Sequence, residues 1–291
     1  MSASPERSEA APPGPARADA WRRLWRDRTS VAGAACLALL VLIAALAPAL
    51  APYDPLRVAM RERLQGPGAL HWLGTDQFGR DILSRIVYGT RVSLSVGVIA
   101  VGIGLGVGAT LGLIAGFSRR LDYPITAVMD VLLSFPQILL AIAIVAALGP
   151  GIFNAMIAVG IGAVPGFTRL TRSSTLSIRE RDYVEAARAL GATSARIIAR
   201  HILPNAAAPL IVVSTLAMAG AILAAAILSF LGLGARPPMA EWGAMAAEGR
   251  GLIAQYPHVS TFPSLAIFVV VLAFNLLGDG LRDALDPQLG E

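Results

Sequence analysis

Apolar residues gather into six long runs along the chain, at 31–51, 92–117, 124–148, 152–168, 206–233 and 261–278. The first is 21 residues without a charge, enough helix to cross a bilayer. The fourth is a little short for the task. The pattern predicts an all-α polytopic membrane protein with six transmembrane helices, an even number that puts both termini on one face. Pro136 falls inside the third run and predicts a kink there. Ala49-Leu50-Ala51 offers a small-x-small cleavage site. Pro52 follows directly, however, and the run exceeds a normal signal-peptide core, so a retained span is expected.

Composition agrees with the pattern: 55% of the 291 residues are apolar, 15% are charged and 29 are glycine. The formal net charge of +5 invites a nucleic-acid partner, but the apolar runs outweigh that reading, and none is expected. The chain contains no lysine, so all 24 basic residues are arginine. A phosphate-binding loop of the G-x-x-x-x-G-K-[ST] type and Schiff-base chemistry both need lysine. Any ATP energy must therefore come from a partner. Cys36 is the single cysteine; it excludes an intrachain disulfide and a cysteine metal cluster and is expected to fill a packing space.

Arginine placement sets the orientation. With the N-terminus inside, the inner segments carry 16 arginines and the outer ones 8. Residues 1–20, rich in Ala, Pro, Ser and Arg, form the start of a disordered cytoplasmic tail, 1–30. Trp21 and Trp25 among arginines read as an interfacial anchor. The span at 31–51 follows, then an external loop, 52–91, carrying an amphipathic helix, then a unit of five spans, 92–291.

Three features stand out from this frame. Gly104, Gly108, Gly112 and Gly116 recur every four residues and share one helical face, which lets another helix approach closely. Asp76, Arg80, Asp81 and Arg85 alternate in sign at helical spacing, as on a solvated face first of all; the functional alternative is an outer surface that docks an external protein. Glu241 and Trp242, in the outer segment 234–260, admit the same two readings. Asp130 and Asp279 lie near inner span ends and are expected to be paired. His71 and His258 read as surface histidines.

The third feature is the segment 182–204. Asp182 is placed to cap a helix, with Glu185 three residues on in a capping-box arrangement. Gly191 can end that helix. Thr193 or Ser194 can cap a second, in which Ile197, Ile198 and Ile202 share a face while Arg196 and Arg200 share another. Pro204 closes the unit. A helical hairpin of this kind either lies against headgroups or fits a groove in a cytoplasmic protein.

The string EAARALGATSARIIARHILP resembles the EAA loop of ABC importer permeases, in which E-A-A, three residues, Gly, nine residues and I-x-L-P follow in order. Glu185, Ala186, Ala187, Gly191, Leu203 and Pro204 fall on that pattern; His201 stands at the usual Ile position, with Ile202 beside it. The segments HWLGTDQFGRDILSRIVYGTRVSL, MDVLLSFP, LSFLGLG, PPMAEWGAMAAEGR and FNLLGDGLRDALDP are similar to the second permease subunit of the peptide/nickel subfamily. The acidic residue that many relatives carry before LSFLGLG is missing here. The resemblance implies a subunit of an ATP-driven importer of di- or oligopeptides or a related solute. It further implies a homologous second permease, two cytoplasmic ATPase subunits that use ATP-Mg, an external solute-binding protein, and a place in the bacterial inner membrane. On this reading Asp182, Glu185, Ala186, Ala187, Gly191, Ile197, Ile198, His201, Leu203 and Pro204 couple to the ATPase. The chain itself is expected to bind no cofactor or metal and to catalyse nothing. The rival, a secondary transporter working without ATPases, lacks its usual mid-span carboxylates and inverted repeat.

Overall fold

A computed structural model describes residue 22 and residues 24–285. The tail 1–20, Trp21 and the last residues of FNLLGDGLRDALDP lie outside the described residues. Nine helices organise the rest: α1 (Arg28–Ala45), α2 (Ile82–Phe117), α3 (Arg119–Leu133), α4 (Gln137–Leu148), α5 (Ile152–Arg179), α6 (Asp182–Ala189), α7 (Ser194–Phe230), α8 (Trp242–Gly249) and α9 (His258–Leu285). A further helical turn, Ala47–Leu50, follows α1.

Five of these helices, α1, α2, α5, α7 and α9, are long and apolar enough to cross a membrane, and α3 with α4 makes a sixth only as a broken span. The kink expected at Pro136 is present, and it is sharp enough to divide the run 124–148 between two helices. The chain bends by 93° between α3 and α4. Pro136 is the cause: it has no N–H to donate, and its ring disfavours helical conformation at Phe135.

Helix lengths also exceed the apolar runs. α2 begins at Ile82 rather than 92, because Asp81 caps it: its carboxylate accepts from the Ser84 backbone N–H at 2.7 Å. The helix expected in the outer loop is therefore the first part of a span. α5 continues past 168 to Arg179. α1 starts where Asp27 accepts from the Thr29 and Ser30 backbone N–H groups; the Ser30 and Thr29 hydroxyls, helped by these backbone bonds, hold the Asp27 carboxyl far below the usual carboxylate range. At the other end of α1, Arg91 donates to the Ala44 and Ala45 carbonyls, satisfying groups the helix end leaves free.

Two apolar clusters form the interior. One joins α2, α5, α7 and the hairpin through residues such as Val96, Val159, Phe167, Val184, Ile202 and Leu228. The other joins α1, α8 and α9 to the start of α2, around Trp242, Ile82 and Val270, with Cys36 packed against it.

The glycine stripe of α2 meets α5. A Cβ at Gly108 would sit 2.6 Å from Phe167 Cβ, and one at Gly112 would sit 2.5 Å from the Thr168 carbonyl oxygen. At Gly104 it would meet Ala163 at 2.8 Å, and at Gly116 Thr175 at 2.6 Å. Four successive positions thus admit only hydrogen, and the two backbones run in contact over the length of the stripe.

Candidate functional site

Helix α6 begins at Asp182 with Arg181 in the capping position and no side-chain cap. The capping box expected from Asp182 and Glu185 is therefore not formed: both carboxylates sit inside the first turn, where they still complement the helix dipole. The other end matches the expected glycine stop. Gly191 takes φ +80, its N–H donates to the Arg188 carbonyl, and the Ala192 N–H reaches back to Ala187. These two bonds make a Schellman motif. Thr193 then caps the next turn by accepting from the Arg196 N–H.

The second half of the hairpin is not the separate helix expected. It is the start of α7, which runs unbroken from Ser194 to Phe230. A π turn at Ile198–Ile202 makes this possible. Pro204 would break an ordinary helix by clashing with the carbonyl four residues back. The wider turn, in which the Leu203 N–H bonds to Ile198, precedes it, and a local change of hydrogen-bond register of this kind absorbs such a strain.

Burial divides the hairpin in two. Val184, Ile197 and Ile202 are buried in the main cluster, with Ile198 packed against it. Asp182, Glu185, Ala186, Gly191, Leu203 and Pro204 are exposed, Ala187 and His201 half-buried. Leu190, at the tip, is 89% exposed. The Tyr183 ring lies 5.8 Å from that of His201, so the residue at the unusual position packs against the opposite arm. The result is a polar and apolar knob whose inner side is fixed to α5 and α7.

The alternating charges between residues 76 and 85 are not on a solvated face. Asp76, Arg80, Asp81 and Arg85 are all buried, which corrects that expectation and removes their side chains from any docking surface in this conformation. The cause is a partner that spacing does not reveal, Glu248 of α8. Asp76 Oδ2 lies 2.6 Å from both Arg80 Nε and Arg85 Nη1, and Glu248 Oε2 lies 2.6 Å from Arg80 Nη2 and 3.2 Å from Arg85 Nη1. Two carboxylates and two guanidiniums neutralise one another, the condition under which charges tolerate burial. Asp81 caps α2 and holds buried His71, whose Nδ1 is 2.9 Å from Asp81 Oδ1; His71 is thus not the surface residue expected. His258, half-buried, opens α9.

Glu241 and Trp242 are buried as well. Glu241 caps α8 by accepting from the Gly243 and Ala244 N–H groups, both at 2.9 Å. Burial nevertheless pushes its carboxyl above the ordinary glutamate value, against the opposing pull of those hydrogen bonds. Trp242 Nε1 donates to the Ile86 carbonyl at 3.1 Å. These six residues form a buried frame at the start of α2 and α8. The exposed apolar residues nearby in sequence are others, Leu70 and Trp72 among them.

Asp130 pairs with Arg169 at 2.6 Å. Asp279 is exposed and has no ion pair among the described residues. No group of three or more His, Cys, Asp or Glu side chains among the described residues is arranged to hold a metal ion.

Residues 108–291 match the family of binding-protein-dependent transport system inner membrane components, and 16–67 match the N-terminal TM domain of oligopeptide transport permease C. The chain belongs to the binding-protein-dependent permease family. This permease is 50% identical over 271 residues to the glutathione transport system permease protein GsiD of Pectobacterium atrosepticum, covering 92% of this chain and 90% of the relative. It is equally 50% identical to the dipeptide transport system permease protein DppC of Alkalihalophilus pseudofirmus, covering 93% and 90%. Its fold is shared with the membrane subunit of the inward-facing MetNI methionine ABC transporter, at TM-score 0.59 and 21% identity over 70% of this chain and 97% of that one. The permease is accordingly a multi-pass inner-membrane subunit of an ABC importer, and the stand-alone secondary transporter is not favoured.

Proposed function

We propose that the permease forms half of a translocation pathway for di- or oligopeptides or glutathione, and that the hairpin 182–204 docks into a cleft of a cytoplasmic ATPase subunit. The observation that carries this reading is the knob itself. Its buried residues tie it to α5 and α7, while its charged side chains and Leu190 are left exposed at the tip. An apolar residue so exposed beside arginines has the composition of an anchor for a groove.

A homologous second permease supplies the other half of the pathway, and an external solute-binding protein delivers the cargo. Two ATPase subunits use ATP-Mg. This chain binds no nucleotide and contributes no catalytic group; it contributes a helix bundle with two arrangements, between which ATP sets the bias. Both termini are cytoplasmic. The names of the relatives at 50% identity support the cargo class.

The test is reconstitution with the ATPases, the second permease and the binding protein. Uptake of a dipeptide or glutathione is expected only with ATP and the binding protein present. With Cys36→Ser as background, a Leu190→Cys hairpin that reacts with impermeant thiol reagents solely from the external side would overturn the assignment, because no cytoplasmic motor could then reach it.

A further inference from the structure

Two ion pairs join α3 to α5, and they are built differently. Asp122 and Arg172 form a closed pair, with Arg172 Nε and Nη2 on the two carboxylate oxygens at 2.5 and 2.7 Å. Their side chains are 27% and 32% exposed. Asp130 and Arg169 share one bond, from Arg169 Nη2 to Asp130 Oδ1 at 2.6 Å, and are 61% and 58% exposed. Among the described residues neither side chain makes another hydrogen bond. A carboxylate oxygen and one edge of a guanidinium are left open side by side.

The surroundings are equally open. Gly162, Gly166, Arg169 and Ser173 fall on one face of α5 by helical spacing. A Cβ at Gly166 would meet nothing within 4 Å, and one at Gly162 would meet the Gln137 side chain at 3.2 Å. Gln137 opens α4 just past the 93° bend, and Asp130 lies just before it. A floor of small residues thus runs from Gln137 to the open pair, about 10 Å by helical rise, against roughly 7 Å for two extended residues. Charges on membrane spans are expensive unless they face water or a partner, so an open pair here argues that this face lines an aqueous route.

We propose that Asp130 and Arg169 form a subsite of the pathway for a zwitterion bearing a free ammonium and a free carboxylate. Asp130 receives the ammonium, Arg169 takes the carboxylate on its unused edge, and the glycine floor admits the short backbone between them. Arg169 stands about 25 Å along α5 from Ile152, so on the proposed orientation the subsite lies near the release end. This inference rests on the importer reading and on its cargo being zwitterionic.

The test uses the complete transporter in proteoliposomes. Uptake is followed with Ala-Ala, glutathione and N-acetylated, C-amidated Ala-Ala. Arg169→Gln is expected to lower uptake of the zwitterions by about tenfold or more, the effect of one charge-assisted hydrogen bond. The reciprocal exchange Asp130→Arg with Arg169→Asp restores an ion pair with reversed polarity. It is expected to assemble without restoring uptake; full recovery of uptake would make the pair a structural tie and overturn the proposal. In a Cys36→Ser background, Gly166→Cys is expected to react with a cationic methanethiosulfonate and to be protected during Ala-Ala turnover, with Leu39→Cys as the lipid-facing reference. Reactivity at Gly166→Cys no greater than at Leu39→Cys would also overturn it, as would permanent occlusion by the second permease. Failure of the wild-type complex to take up either zwitterion would overturn the cargo reading and this subsite together, whereas normal uptake by Arg169→Gln would overturn the subsite alone.

Discussion

Gly191→Val is the most direct perturbation of the proposed coupling. Gly191 sits at φ +80, and a Cβ there would meet nothing within 4 Å. Any effect is therefore conformational rather than steric crowding from neighbours. A left-handed conformation costs an ordinary L-residue about 1–2 kcal/mol, and a β-branched residue fares worst. Relief requires giving up the Ala192-to-Ala187 and Gly191-to-Arg188 hydrogen bonds that end α6. A penalty of about 2 kcal/mol raises the population of the frayed hairpin roughly 30-fold. Docking that needs the ordered knob weakens by a comparable factor once the frayed form dominates. The assay is recovery of ATPase subunits on a tagged permease, with membrane insertion measured separately. Insertion is expected to be unchanged and ATPase recovery lost. Gly191→Asn, which tolerates this backbone region, is expected to retain most of it, with Gly191→Ala between. ATPase recovery by Gly191→Val equal to wild type would refute the link between hairpin order and docking.

Other consequences can be checked by thermal melting of the purified complex. Gly112→Leu places a side chain 2.5 Å from the α5 backbone and is expected to cost at least about 3 kcal/mol through overpacking. Gly106→Ala, where a Cβ meets nothing within 4 Å, should be neutral or better by up to about 1 kcal/mol. Arg85→Met strips one cation from a buried four-charge network and is expected to destabilise by about 3 kcal/mol; adding Glu248→Gln, which removes the orphaned carboxylate, should recover part of the loss. Glu241 predicts a pH slope. Its folded carboxyl lies above the ordinary value of 4.5, so its stabilising contribution is complete below that value and is lost as pH rises through the folded one. Wild type should lose stability over that window and Glu241→Gln should not; parallel slopes would contradict the burial argument.

The apolar runs made the spans legible because a bilayer demands uninterrupted apolar length, and the glycine period made a close helix contact legible because only hydrogen fits there. The partner of that contact, α5, was not legible: its facing residues, from Ala163 to Thr175, carry no distinctive period. The buried charges at 76–85 were not legible for a related reason. Alternating signs at helical spacing describe a surface and a buried network equally well, and Glu248, which decides between them, lies 163 residues from Arg85. The kink at Pro136 was legible from the missing N–H, but its 93° size was not, because composition records apolarity and not direction. Pro204 was expected to end a helix, and the π turn that lets the helix continue has no signature in the residues themselves.

That last difference changes how force can travel. If the hairpin were a detached unit closed by Pro204, motion at its tip would dissipate in a joint. Instead the residues from Ser194 to Phe230 form one helix of 37 residues, about 55 Å long at the usual rise. Its N-terminal end is held by Ile197 and Ile202, both buried. Its C-terminal end is held by α8: a Cβ at Gly243 would meet the Ala226 carbonyl oxygen at 2.5 Å. α8 in turn carries Glu248 into the charge network at the start of α2. A displacement at the knob therefore has a rigid route to the buried charge network, through a helix, a backbone contact and a set of ion pairs. The irregular element along that route is the π turn at Ile198–Ile202. Replacing Pro204 by Ala removes the reason for the π turn and allows the segment to revert to regular helix. That reversion rotates the knob relative to the spans by about one residue, or roughly 100°. The expected result is an assembled permease that inserts normally, binds the ATPase poorly and melts no lower than wild type. A Pro204→Ala transporter that couples as well as wild type would show that the orientation set by the π turn plays no part in engaging the motor.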